Sequence, residues 1–86
     1  MTKDEIKDKV ISILGNLGCD TSITMESSLE GDLRYDDLDK IESQFYLEDE
    51  FRISIPDDKW DEVRTVGDAV NLVTEILEQQ LLTIKN

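Results

Sequence analysis

The sequence predicts a small all-α domain, and two patterns support this. Apolar residues recur every three or four positions in three separate stretches, which is the spacing of amphipathic helices. The first and last of these stretches follow a threonine with an acidic residue three positions later, a pattern typical of helix N-termini. We therefore predict one domain over residues 1–86, a four-helix bundle with a long first loop and a short third helix.

The first helix is predicted over residues 3–17. Thr2 can cap its N-terminus, with Glu5 as the capping-box partner. Gly18 is a plausible end of the helix. Its apolar face consists of Ile6, Val10, Ile13, Leu14 and Leu17.

Residues 18–35 keep no helical or strand period and predict a long loop. Four scattered apolar residues, Ile23, Met25, Leu29 and Leu33, are expected to anchor this loop to the core. A structureless loop of this length is uncommon in a compact domain and by itself counts against this assignment.

The second helix is predicted to begin at Asp36 or Asp37 and to end near Asp49 or Glu50. Asp36 as N-cap has Asp39 three positions later, a variant of the capping box. Residues 51–55 alternate in polarity, but no partner strand is nearby, so we expect an extended connector.

A short third helix is predicted over residues 58–62, after Pro56, because a proline restrains the residue before it to an extended conformation. Asp57 is its expected cap, and Trp60 and Val63 are its apolar anchors. The last helix is predicted over residues 66–82, capped by Thr65 with Asp68. At its C-terminal end, Leu81, Leu82 and Ile84 are either a contact surface for a partner or second copy, or a frayed tail.

Composition restricts the classes of function. The formal net charge is -12 and the pI is near 4.1, so phosphate-mediated nucleic-acid binding is excluded and basic protein surfaces are the expected partners. The absence of histidine excludes His-based triads and two-His zinc sites. The single cysteine, Cys19, is expected to be a small apolar loop residue in a reducing compartment. With no apolar signal segment, we expect a cytoplasmic, monomeric protein without membrane contact.

Several segments, in order and spacing, resemble the acyl carrier protein family. Ser28-Leu29-Glu30-Gly31-Asp32-Leu33 is similar to the family's Ser-Phe-x-x-Asp-Leu, and Asp36-x-Leu38-Asp39-x-Ile41-Glu42 to its Asp-Ser-Leu-Asp-x-Val-Glu. Residues 47–51, 53–57 and 65–70 continue the match. The resemblance implies the same bundle fold, a carrier rather than an enzyme, and docking of partner enzymes through the second helix.

Three departures from the family pattern concern the carrier chemistry. Asp37 stands where the family has the serine that is esterified by phosphopantetheine. Arg34 and Tyr35 replace a small Gly-Ala pair, and Ser43 and Gln44 replace apolar residues. We therefore expect no phosphopantetheine, no other cofactor and no catalytic residue. A buried Gln44 would also need a hydrogen-bonding partner.

Asp37 has two interpretations that the sequence leaves open. A carboxylate in the first turn of a helix interacts favourably with the free N–H groups, by roughly 0.3–1 kcal/mol, so the residue is structural in one interpretation. In the other, it imitates the negative charge of the family's phosphodiester. Neither interpretation makes Asp37 catalytic.

Apolar residues of the second helix form two stripes. Leu47 and Phe51 share a face with Gln44, whereas Leu38, Ile41 and Phe45 share another. If the second stripe is exposed, its acidic rim suits a partner with an apolar groove and basic residues; alternatively, both stripes are core. The predicted partner-binding residues are Asp36, Asp37, Leu38, Ile41, Glu42, Phe45, Glu48 and Asp49.

The primary hypothesis is a non-enzymatic adaptor that works unmodified through its second helix. Two alternatives remain: a carrier that holds cargo without a covalent arm, and an inhibitor that competes with a true carrier protein for its enzymes. We expect no dedicated metal site, although Glu30, Asp36 and Asp39 are candidates for weak calcium or magnesium binding.

Overall fold

Four helices form the architecture of the residues that the structure describes. The computed structural model describes the backbone of residues 2–17 and 23–84 and the side chains of residues 2–15 and 23–80. In chain order, the helices are α1 (Lys3–Leu17), α2 (Asp37–Phe51), α3 (Asp57–Asp61) and α4 (Val66–Ile84). The described part contains no strand longer than one isolated bridge, between Ser28 and Thr65. The predicted all-α bundle is confirmed.

The core lies between α1, α2 and α4, with α1 packed against both of the other helices. Val10, Leu14, Leu47, Val70 and Val73 are completely buried. Their burial accounts for the helical spacing in the sequence, because each helix turns one apolar face toward this shared interior. Within the described residues, no helix is long and apolar enough to span a membrane.

The predicted helix starts are confirmed by their hydrogen bonds. At α1, the Glu5 N–H donates to Thr2 Oγ1 over 3.2 Å, and the Thr2 N–H donates to Glu5 Oε1 over 3.1 Å. At α4, the Asp68 N–H donates to Thr65 Oγ1 over 3.1 Å, and the Thr65 N–H donates to Asp68 Oδ2 over 3.2 Å. Both reciprocal pairs satisfy N–H groups that a helix leaves unpaired.

The loop before α2 is anchored by the residues that the sequence predicted. Leu29 and Leu33 are each 1% exposed, and Ile23 and Met25 pack against the core. The loop backbone also runs along the start of α4, where the Gly67 N–H donates to Met25 O over 2.8 Å. A Cβ atom at Gly67 would lie 2.9 Å from that oxygen, so this close approach requires glycine.

Two details differ from the sequence-based expectations. Phe51 is the last residue of α2, and Arg52 caps the helix in the left-handed conformation with φ 54°. The third helix is Asp57–Asp61, one residue earlier than predicted, and the residue before it is Pro56 without a side-chain cap. Asp57 as a cap is therefore wrong: its carboxylate accepts a hydrogen bond from Gln44 Nε2 over 3.0 Å instead.

The last helix continues to Ile84, two residues past its predicted end. The side chains of Leu81, Leu82 and Ile84, for which a contact surface or a frayed tail was expected, lie outside the described residues. The expectations for Gly18 and Cys19 lie outside them as well.

Candidate functional site

The N-terminus of α2 is held by a complete capping box. The Asp39 N–H donates to Asp36 Oδ1 over 2.8 Å, and the Asp36 N–H donates to Asp39 Oδ2 over 3.2 Å. Asp36 and Asp39 are thus engaged with the backbone. Asp37, the first residue of the helix, is exposed, and its carboxylate faces solvent at the positive end of the helix dipole.

The segment before α2 is shaped by Arg34 and Tyr35. Arg34 adopts φ 58°, a conformation that favours glycine, which agrees with the small residue of the family pattern at this position. Tyr35 is 5% exposed, and its hydroxyl donates to the carbonyl of Leu14 in α1. Burial, with a smaller contribution from the charge of Asp39, raises the pKa of the Tyr35 phenol. The phenol therefore ties the start of α2 to α1 as a neutral group.

A cleft of about 320 Å³ opens beside Asp37. Asp36, Asp37 and Lys40 of α2 form one wall, and Ser28 and Glu30 of the loop are part of its lining. Asp61, Val63 and Arg64 complete the opposite side, so the cleft carries charges of both signs. Ser28 has a hydroxyl in this cleft, and that oxygen accepts the Gly31 N–H over 3.0 Å in a local turn.

The weak cation site considered from the sequence is not assembled. Within residues 2–17 and 23–84, no three His, Cys, Asp or Glu side chains come together in a way that could hold a metal ion. Asp36 and Asp39 use their carboxylates to cap α2. The candidate cluster of Glu30, Asp36 and Asp39 is therefore wrong.

An exposed apolar strip runs along α2, formed by Leu38, Ile41 and Phe45. These side chains are 62%, 48% and 62% exposed, so the alternative that both stripes of the helix are core is wrong. The opposite stripe, Leu47 and Phe51, is buried. An exposed surface of adjacent large apolar side chains is a candidate surface for contact with another molecule.

Acidic side chains flank the apolar strip. Because an α-helix turns by about 100° per residue, Glu42 and Asp49 lie on the same side of α2 as Leu38 and beside Phe45. Asp49 is exposed, and Glu42 is half-buried. Tyr46, 52% exposed, lies beyond these two carboxylates and was not among the residues predicted from the sequence. Tyr46 could have been included among the predicted partner-binding residues, because it is a large aromatic residue next to Phe45.

Glu48, the remaining residue predicted to bind a partner, is placed differently. Its Oε2 atom accepts the Ile55 N–H over 2.7 Å, and the side chain is half-buried. This carboxylate ties α2 to the connector that leads to α3. The acidic rim of the strip therefore depends on Asp37, Glu42 and Asp49 more than on Glu48.

Polar contacts join α2 to α3, and we call this network the α2–α3 clasp. Its members on α2 are Lys40, Ser43, Gln44 and Glu48. Gln44 is 7% exposed, and its Nε2 donates to Ile55 O over 2.9 Å and to Asp57 Oδ1 over 3.0 Å. The partner that a buried glutamine requires is thus present.

Trp60 anchors the other half of the clasp. Its Nε1 donates to Lys40 O over 2.9 Å, and Ser43 Oγ donates to the same carbonyl over 2.7 Å. Lys40 Nζ in turn donates to Asp61 O over 3.2 Å. No buried side-chain nitrogen or oxygen in the described part lacks a hydrogen-bond partner, so the polar residues that interrupt the apolar face of α2 stabilise one position of α3.

Comparison with known proteins gives consistent matches over most of the chain. The chain is 40% identical over 76 residues to the acyl carrier protein of Porphyromonas gingivalis, and the match covers 86% of this chain and 97% of that protein. It is 41% identical over 80 residues to the acyl carrier protein of Clostridium acetobutylicum, covering 92% of this chain and all of that protein. No protein-family model matches the chain.

Solved structures show the same fold. The crystal structure of the acyl carrier protein from Thermotoga maritima superposes with a TM-score of 0.75 at 24% sequence identity, covering 90% of this chain and 92% of that one. At this identity, the likeness concerns the bundle and the order of its helices.

Proposed function

Because the chain belongs to the acyl carrier protein family, we propose that it keeps the family's protein-docking surface and works without a covalently attached phosphopantetheine. It acts as an acidic adaptor that binds a protein partner through the apolar strip of α2 and its acidic rim. The observation that carries this proposal is the exposure of Leu38, Ile41 and Phe45 beside Asp37, Glu42 and Asp49. The partner has an apolar groove bordered by lysine or arginine.

The residues at the start of α2 do not fit a phosphopantetheine attachment. The group is held through a phosphodiester to a hydroxyl, whereas residue 37 offers a carboxylate, and a carboxylate–phosphate anhydride would be labile. The carboxylate at residue 37 therefore supports an unmodified protein.

The α2–α3 clasp supports an adaptor over a carrier of non-covalent cargo. Gln44 and Ser43 are buried where an apolar chain would need apolar walls, and both are committed to hydrogen bonds within the protein. Inserting an aliphatic chain between α2 and α3 would leave the Gln44 amide without its partners at Ile55 and Asp57, at about 1–3 kcal/mol.

Incubation with coenzyme A and a phosphopantetheinyl transferase of broad specificity tests the absence of modification. We expect no mass increase for the wild type. The variant Asp37→Ser should gain the mass of one phosphopantetheine, which also shows that the transferase recognises this α2. A mass increase in the wild type would contradict the proposal.

The docking surface is tested by Ile41→Lys in a pull-down from the host lysate. Ile41 is 48% exposed, so we expect partner capture to fall at least tenfold while the free energy of unfolding falls by only about 1 kcal/mol. Asn71→Lys, an exposed position on α4, is the matched control for the added charge and should leave capture unchanged.

Two results of this pull-down would change the interpretation. Equal capture by Ile41→Lys and by the wild type would exclude the strip as the docking surface. Capture dominated by enzymes that normally bind a modified carrier protein would favour the related hypothesis of an inhibitor, which uses the same surface to compete for those enzymes.

A further inference from the structure

Two aromatic side chains on the exposed face of α2 distinguish this surface from the rest of the molecule. The chain has two phenylalanines, two tyrosines and one tryptophan, and Tyr35, Phe51 and Trp60 are buried. Phe45 and Tyr46 are instead more than half exposed, and they are adjacent in the chain. The face of an exposed aromatic ring is negatively polarised and attracts cations, so this pair offers a partner more than apolar area.

Two acidic residues lie between these rings. Because an α-helix turns by about 100° per residue, Tyr46 lies about 100° around α2 from Phe45. By the same rotation, Asp49 and Glu42 lie about 40° and 60° from Phe45. Along the helix axis, about 10 Å separates the two acidic residues, and the aromatic pair lies midway between them. The four residues therefore share one face of α2, which we call the aromatic–acidic patch.

The carboxylates of this patch have no partner in the described part of the protein. Neither Glu42 nor Asp49 makes a side-chain hydrogen bond or an ion pair with another described residue. The ion pair found in this part joins Lys9 to the neighbouring acid, Glu50. By contrast, the carboxylate of Glu48 is committed to a backbone N–H of the connector. The two charges of the patch are thus available to a cation from outside the chain.

We propose that the aromatic–acidic patch binds an arginine side chain of the protein partner. This inference rests on the proposed adaptor function and deepens it, because it names the residue that the partner presents to α2. A guanidinium is planar and weakly hydrated, so it can stack on one of the two rings while its N–H groups donate to a carboxylate beside it. The net charge of -12 attracts lysine and arginine alike, whereas the rings favour arginine.

Arginine fits this patch better than three other occupants do. A lysine ammonium is a compact, strongly hydrated charge that gains less from stacking. A trimethylammonium group is bound by rings that enclose it from several sides, whereas Phe45 and Tyr46 lie on the outer face of a single helix. A second copy of the chain would bring the same carboxylates to the contact, and like charges repel.

Titration with hexa-arginine amide and with hexa-lysine amide, followed by two-dimensional NMR of the backbone amides, tests the proposal. Both peptides carry the same charge, so their general attraction to an acidic protein cancels in the ratio of their dissociation constants. We expect saturable shifts centred on residues 42–49 and a dissociation constant about threefold lower for the arginine peptide.

The double variant Phe45→Leu, Tyr46→Leu tests the rings, because it keeps apolar bulk on α2 and removes both aromatic faces. The ratio of the two dissociation constants should then approach one. Leu38→Ala is the matched control, since it removes apolar area from a side chain as exposed as Phe45 and leaves both rings in place. It should keep the ratio of about three. Thermal unfolding verifies that each variant is folded at the titration temperature.

A second pair of variants tests the carboxylates. Glu42→Gln with Asp49→Asn should weaken the binding of both peptides about threefold. Asp58→Asn with Glu62→Gln removes the same number of charges from exposed positions at α3 and should have a smaller effect. The difference between the two double variants separates a local contribution of the patch from that of the net charge.

Three outcomes would overturn the inference: equal affinity for the two peptides, an arginine preference that persists in Phe45→Leu, Tyr46→Leu, or shifts centred outside residues 42–49. Each of them leaves the adaptor function standing if Ile41→Lys still reduces partner capture, since the partner would then present another residue to this patch. Conversely, equal capture by Ile41→Lys and the wild type overturns the adaptor function, whatever the peptides show.

Discussion

Ser43 and Gln44 are two polar residues of α2 whose side chains lie in the protein interior. They are 0% and 7% exposed, and a glutamine amide in such a position destabilises a protein unless it is paired. The connector and α3 supply the partners, a backbone carbonyl at Ile55 and a carboxylate at Asp57. Gln44 is therefore compatible with the fold because the connector and α3 have a fixed position, whereas Ser43 donates to Lys40 O within α2 itself.

Replacing Gln44 by leucine should lower the free energy of unfolding by about 1–3 kcal/mol, because Ile55 O would lose its Nε2 donor inside the protein. Ser43→Ala is the control and should have a smaller effect, less than about 1 kcal/mol, since Lys40 O keeps the Trp60 Nε1 donor. Urea unfolding measures both. An equal or more stable Gln44→Leu protein would show that the clasp does not stabilise the fold.

The buried phenol of Tyr35 makes stability depend on pH in the alkaline range. Burial raises its pKa in the folded state above the ordinary value of 10.0, so the folded protein retains this proton at pH values where the unfolded chain loses it. The stabilisation is present below pH 10 and is lost as the pH rises further.

We expect the unfolding free energy of the wild type to fall more steeply between pH 10 and about pH 11.5 than that of Tyr35→Phe, which has no phenol proton to lose. Tyr46→Phe removes an exposed phenol and serves as the control, with a slope close to that of the wild type. Identical slopes for the wild type and Tyr35→Phe would contradict the assignment.

At the scale of the elements, α2 combines a structural role with an interaction surface. Its ends are fixed, by the Asp36–Asp39 capping box at one end and by the left-handed Arg52 at the other. Arg52 allows the Ile53 N–H to donate to Glu48 O over 3.1 Å, a closing bond typical of helix C-termini. With both ends satisfied, the exposed face of α2 is free to contact other molecules.

Asp36 and Asp37 are adjacent but should differ in their effect on stability. Asp36→Ala removes the N-cap acceptor of the Asp39 N–H and should lower the unfolding free energy by about 1 kcal/mol. Asp37→Ala removes only a favourable charge near the helix terminus, about 0.3–1 kcal/mol at low salt and less at high salt, so its loss should be the smaller one. Thermal and urea unfolding at low salt compare the two; a larger loss for Asp37 would mean that its role is chiefly structural.

In the whole molecule, apolar burial in a small core opposes the electrostatic repulsion that a strong excess of carboxylates causes. The net charge is -12, and the described part holds a single ion pair, Lys9–Glu50. The repulsion among the remaining carboxylates favours expanded states of the chain. The same negative field should attract a basic partner, and salt weakens both effects.

Stability should therefore increase with sodium chloride, by on the order of 1 kcal/mol between low salt and about 0.5 M. Asp8→Lys, on the exposed side of α1, raises the net charge by two and should reduce this salt dependence. Asp8→Asn should have about half of that effect. Chemical unfolding at several salt concentrations checks the prediction, and a stability independent of salt would contradict it.

Much of the helical framework was predictable from local chemistry. The caps at Thr2, Asp36 and Thr65 act within one helical turn, so their hydrogen bonds depend only on neighbouring residues. The beginning of each of these three helices was accordingly placed within one residue of its observed position. Asp57 was misinterpreted as a cap for the converse reason: its hydrogen-bond partner, Gln44 Nε2, comes from another segment. The hydrogen bond between Glu48 Oε2 and the Ile55 N–H could not be predicted for the same reason.

The helices, the acidic charge and the carboxylate at position 37 follow from residue type and short-range spacing. Which stripe of α2 is exposed depends on the packing of the other helices, since a helix with two apolar stripes can bury either one until its neighbours are placed. Packing also brings Gln44 to its hydrogen-bond partners and brings Ile6, Phe51 and Leu77 together at one cleft. These properties arise from packing between segments that are far apart in the chain.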